Sequence, residues 1–179
     1  MVIALAGRRV DAPGADIKRF PAENAAAVAA RIREFLVTHE ARALVSAAAC
    51  GADIIALEVA GELGLRRRVV LPFDRAAFRA MSVVDRGAAW GARYDQILDA
   101  LAASGDLIEA AHDPDDGQTW FTGNLEILDQ AASLATQLGA DIAALIVWNG
   151  ASRGADDVTG HFKSEAEARG LGVAEALTV

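Results

Sequence analysis

The chain has 179 residues, 53% of them hydrophobic and 23% charged, with a formal net charge of −8. This excludes a disordered segment and fits one globular domain, residues 1–179. The acidic balance removes the electrostatic footprint of a general nucleic-acid binder, although Arg66-Arg67-Arg68 is a local basic cluster. A single cysteine, Cys50, allows no internal disulfide and fits a reducing compartment. The first apolar run is too short for a signal-peptide core, and no run approaches the roughly 18 residues of a membrane span. A cytoplasmic protein without membrane contact is expected.

In chain order, "VIALAG" (2–7) reads as a short buried strand stopped by glycine. "RRVDAPGADIKRF" (8–20) is loop-like, broken by Pro13 and Gly14. Pro21 opens a helix on which Val28, Ile32, Phe35 and Leu36 recur at helical spacing. "ARALVS" (41–46) is a second strand; Ile54, Leu57 and Leu63 mark the next helix, stopped by Gly64. "RRVVLPF" (67–73) is a third strand, and 74–86 is irregular or carries a short helix. Trp90, Tyr94, Ile97, Leu98 and Leu101 mark a helix ending near Gly105. "DLIEAA" (106–111) is a weaker strand and "HDPDDGQ" (112–118) an acidic turn. Leu125, Leu128, Ala132 and Ala135 mark a helix, "IAALIVW" (142–148) is the most apolar strand, and "NGASRGADD" (149–157) is a loop. Val158, Phe162 and Ala166 mark a last helix before a last strand, "GVAEALTV" (172–179).

About six continuously apolar strands alternate with helices. The pattern predicts an α/β fold: a Rossmann-like, doubly wound, mainly parallel sheet with helices on both faces. Ligands of such sheets bind beyond the carboxyl ends of the strands, near the reversal of strand order.

The loop after the first strand offers Gly7, Arg8 and Arg9. Glycine permits an unusual turn and arginine can pair with phosphate; the bland reading is solvated loop arginines. After the second strand come small residues and then Gly51 at a helix start, which suits either an anion or close helix–strand packing. Trp148 ends the fifth strand, placed to stack on a base or to cap the core, and Asn149-Gly150 fits a tight turn. Thr159 or an aspartate before it caps the last helix or binds a ribose or phosphate oxygen. No GxGxxG or P-loop occurs. Cys50 and three scattered histidines make no metal pattern. No cofactor is expected with certainty.

In combination, the strand ending in Gly-x-Arg, "LVSAAACGADIIALEVAGELG", "VVLPFD", and "LIVWNG" followed by a Thr-bearing helix resemble the SLOG superfamily. That superfamily includes lonely-guy phosphoribohydrolases, DNA-processing-A proteins and sensors of nucleotide-derived ligands. The resemblance implies a ligand site built from Gly7, Arg8, Arg9, Ser46, Gly51, Asp53, Pro72, Phe73, Trp148, Asn149, Gly150 and Thr159. Asn124 joins them on topology alone. The family's Gly-Gly is Ala47-Ala48 here, the Asp of Trp-Asp-Gly is Asn149, the Gly of Gly-Thr is Val158, and the Pro-Gly-Gly-x-Gly-Thr-x-x-Glu motif is absent. The resemblance therefore implies binding of a nucleotide derivative such as ADP-ribose or NAD. The alternatives are an N-glycosidic-bond hydrolase using Asp53, Asp74, Asp85 or Glu126, and a degenerate scaffold. Alanine-rich helix faces add a homo-oligomer to the expected partners.

Overall fold

The computed structural model describes Met1–Val179. Six strands form one all-parallel sheet: β1 (Val2–Gly7), β2 (Ala43–Ser46), β3 (Arg66–Leu71), β4 (Leu107–Glu109), β5 (Ile142–Trp148) and β6 (Gly172–Leu177). Their order across the sheet is β4-β3-β2-β1-β5-β6. Between them lie α1 (Ala25–Thr38), α2 (Ala52–Glu62), α3 (Arg75–Ser82), α4 (Ala88–Ala102), α5 (Thr119–Leu138) and α6 (Val158–Ala168). No helix is long and apolar enough to cross a membrane.

The alternation of side chains along each strand builds two cores. Ile3, Leu5, Leu44, Val69, Leu71, Leu145 and Val147 pack with α1, α2, α3 and α4. Val2, Ala4, Val45, Val70, Ala144, Ile146 and Trp148 pack with α5 and α6. Both sides of the inner strands β1, β2 and β5 are buried, which is why their sequences are apolar without alternation; the edge strands β4 and β6 are largely half-exposed. The fold is thus doubly wound and Rossmann-like. α5 carries the chain from β4 at one edge to β5 beyond β1. Its 20 residues reach about 30 Å at 1.5 Å per residue. That length matches a diagonal over four strand spacings of about 4.8 Å each and one strand length of about 20 Å.

Several boundaries differ from the sequence expectations. β4 is only Leu107–Glu109; the backbone bonds to β3 reach one residue further on each side, Val69 N–H to the Asp106 carbonyl (2.8 Å) and Ala110 N–H to the Leu71 carbonyl (2.9 Å), while the Asp106 side chain accepts hydrogen bonds from Arg66 (2.7 and 2.9 Å) and Arg68 (2.9 Å). The basic cluster 66–68 is therefore largely consumed within the fold. Pro21 leads into a single 3-10 turn, Ala22–Asn24, before α1 starts. α5 begins at Thr119, one turn and a half before the apolar periodicity shows itself.

β1 pairs with β2 on one side and with β5 on the other. The chain leaves β1 towards β4 and returns on the opposite flank, so the strand order reverses between β1 and β5. The carboxyl ends of those two strands define the crevice where such a sheet binds ligands.

Candidate functional site

The loop leaving β1 lies across the start of α2. Val10 N–H donates to the Cys50 carbonyl (3.2 Å) and Ala52 N–H to the Arg8 carbonyl (3.1 Å). Gly51 bridges to Arg9 at φ +115°, and a Cβ there would sit 2.7 Å from Val10 N and 2.8 Å from Arg8 O. The small residues before α2 thus admit the chain's own backbone. Gly51 is covered by residues 8–10, and the first amide of α2 is already satisfied. Gly7 is equally confined, since a Cβ there would meet Ala52 Cβ at 2.3 Å.

Arg8 is turned inward, 4% exposed. Its guanidinium forms a two-pronged pair with Asp157, one prong at 2.8 Å, and also donates to the Ala151 carbonyl (2.7 Å) and Asn149 Oδ1 (3.2 Å). Asp157 further accepts from Arg153 N–H (2.9 Å) and Thr159 N–H (3.2 Å). Burial pushes this carboxyl up, but Arg8 and the amides of Arg153 and Gly160 outweigh burial and hold it well below its usual range. Asp157 therefore occupies the N-terminus of α6 as the protein's own anion. Arg8 has little left for a phosphate; it ties the β1 loop to the β5 loop.

A cavity of about 510 Å³ opens at the crevice. Gly7, Arg8, Arg9, Asp53, Pro72, Asn124 and Thr159 all border it. Asn124 Nδ2 donates to the Val158 carbonyl (2.8 Å) and lies 3.2 Å from His161 Nδ1, leaving Oδ1 without a protein partner. The Thr159 hydroxyl is likewise unpaired beside the cavity. Arg9 is engaged with Asp85. Burial lowers the pKa of Arg9, but Cys50 and Asp85 raise it further. Burial pushes the Cys50 thiol up, against the pull of Arg9.

Asp53 is 6% exposed. Its Oδ2 accepts from Ala49 N–H (3.2 Å), and its Oδ1 has no hydrogen-bond partner. Burial drives its pKa from 3.8 to about 7, against the opposing amides of Ala49 and Gly7 and the charge of Arg9. Among the aspartates and glutamates weighed for catalysis, it alone borders the cavity. Asp74 caps α3 by accepting from Ala76 and Ala77 N–H. Asp85 sits between Arg9 and Arg86. Glu126 pairs with His112 at 2.8 Å.

Other expected site residues are placed elsewhere. Trp148 points to the α6 side of the sheet, packs in the core and donates from Nε1 to Glu175 (2.8 Å). It is unavailable to stack on a base, because the strand alternation that buries Ile146 and Ala144 carries it to the same face. Phe73 is 2% exposed and packs against Phe78 and Trp120. The Ser46 hydroxyl donates to the Ala47 carbonyl. Asn149 serves Arg8, and Gly150 makes the turn after β5 at φ +76°.

The cavity also takes residues that no motif singled out: Arg19, Arg86 and Arg153. Arg86 donates to the Val10 carbonyl (3.3 Å) and pairs with Asp85 (3.0 Å), and Arg153 lies 3.5 Å from Asp157. Arg19 differs. Its N–H is held by Asp11 (3.0 Å) and its carbonyl by Thr178, yet its guanidinium has no partner. The signal in the sequence was only its position in the first loop past β1. No group of three or more His, Cys, Asp or Glu is placed to hold a metal ion. No family model matches the chain, and no curated protein matches it.

Proposed function

We propose that this protein binds a small nucleotide-derived molecule, of the ADP-ribose or NAD kind, beyond the carboxyl ends of β1 and β5. One observation carries the reading: Arg19, its guanidinium unpaired and its backbone pinned at both sides, lines a cavity of about 510 Å³ at the reversal of strand order. That volume lies within the range of small-molecule sites. A phosphate would pair with Arg19. The Thr159 hydroxyl and Asn124 Oδ1 supply neutral hydrogen bonds for ribose or base. A second reading, cleavage of an N-glycosidic bond, is favoured by Asp53, whose pKa of about 7 suits a general acid or base.

The test is a thermal-shift panel of ADP-ribose, NAD, AMP and cyclic nucleotides against the wild type and Arg19→Ala. A ligand at about 100 times its Kd adds ~2.7 kcal/mol to stability. A shift that Arg19→Ala abolishes supports the site. No shift from any of them in the folded protein overturns the reading. Release of free base, lost in Asp53→Asn, would move the assignment to the hydrolase.

A further inference from the structure

Asp53 is more than a helix-start residue. Complementing the α2 terminus and holding the Ala49 amide engages one carboxylate oxygen, and that oxygen is Oδ2. The other, Oδ1, is buried and has no partner at hydrogen-bond geometry, although the Gly7 amide lies close enough to the carboxyl to favour its charged form, and it belongs to a residue lining the cavity. The other aspartate bordering the cavity is satisfied internally: Asp11 accepts from the N–H groups of Arg19 (3.0 Å) and Phe20 (3.1 Å). Once Asp53 is ionised, above about pH 7, residues lining the cavity thus supply an unpaired cation, Arg19, and an unpaired acceptor, Asp53. Buried acceptors left unanswered are rare in folded proteins and call for a partner.

We infer that Asp53 Oδ1 accepts one hydrogen bond from the bound ligand and selects ligands that carry a donor at that place. The inference rests on the nucleotide reading above. With a single free oxygen, the carboxylate takes one donor rather than clamping a vicinal diol. Two parts of a nucleotide supply such a donor: a ribose hydroxyl and the exocyclic amine of adenine. Asp53→Asn distinguishes this role from packing. The asparagine oxygen retains the Ala49 bond, while its NH2 presents donors where the acceptor was.

The experiment is isothermal titration at about pH 8, where Asp53 is ionised, of the full chain, wild type and Asp53→Asn, with AMP, IMP, 2′-deoxy-AMP and 3′-deoxy-AMP. The wild type is expected to bind AMP about tenfold or more tighter than one analogue lacking a donor. Loss with IMP identifies the amine; loss with a deoxy analogue identifies that hydroxyl. In Asp53→Asn the preference should shrink to about twofold or less, and reverse towards IMP if the amine is the donor. Equal binding of all four by the wild type overturns the inference without any variant. So does an unchanged preference in a folded Asp53→Asn. A wild type that binds none of the four overturns it too, while the wider panel decides the nucleotide reading separately.

Discussion

Replacing Asp53 by asparagine should make the protein more stable at neutral to alkaline pH and much less so in mild acid. The folded carboxyl holds its proton up to about pH 7, whereas the unfolded chain gives it up near 3.8. Between those values the native state binds more protons than the unfolded state, so stability falls as pH rises. The penalty is absent below the unfolded pKa and complete above the folded one. A gap of roughly three pH units at about 1.4 kcal/mol each makes the full penalty ~4 kcal/mol. Less than half of it has accrued by about pH 5 and nearly all by about pH 8. Asparagine cannot ionise and keeps the Ala49 bond, so its advantage over wild type should grow by about 2–3 kcal/mol across that window. Urea denaturation from about pH 5 to about pH 8 measures it, with the m-value as a check that the unfolded states match. Parallel wild-type and variant profiles would refute the reasoning, because they would mean that Asp53 ionises in the folded protein as it does in the unfolded one.

The Arg8–Asp157 pair behaves oppositely. Arg8→Ala strands a buried carboxylate and should cost about 3–5 kcal/mol in chemical denaturation. Because the Asp157 pKa is depressed, its contribution is present above the unfolded value of 3.8 and lost as pH falls below it; Asp157→Asn should flatten that acid limb. Gly51→Ala forces a side chain into φ +115° and against the β1 loop, so a loss beyond about 3 kcal/mol is expected, read from the thermal midpoint. Arg19→Ala should leave stability within about 0.5 kcal/mol and weaken anionic nucleotides by about tenfold or more by titration calorimetry.

Much of the fold is legible in the residues, because burial on both faces writes itself as unbroken apolar runs. Strands β1 and β5 fall where "VIALAG" and "IAALIVW" place them. The short β4 is narrower than "DLIEAA" suggests, since as a half-exposed edge strand it carries no long apolar run to mark its ends. The site is harder to read. Arg8 and Asp157 lie 149 positions apart, and only the fold brings them together. A loop arginine and a helix-capping aspartate look the same whether they meet each other or a ligand. Gly51 announces a close backbone approach but not whose backbone. Trp148 looks like a ligand platform until strand alternation assigns its face. Asp53 is the converse: its place in "GAD" is visible, but its unanswered oxygen is a property of packing alone.

The long diagonal of α5 also sets a timetable for the nascent chain. β5 forms the whole of the pairing on one flank of β1, beginning with Val2 against Ile142. Until α5 and β5 have left the ribosome, β1, β2 and β3 have only one covered side. The apolar side made by Val2, Ala4, Val45 and Val70 stays bare until α5 arrives to lie on it. Pairings so distant in sequence slow the final closure, and during that interval the half-built sheet offers sticky surface to its neighbours. Synthesis of this chain should therefore draw on holding chaperones, and stalling it between β4 and α5 should yield aggregates rather than a smaller folded protein.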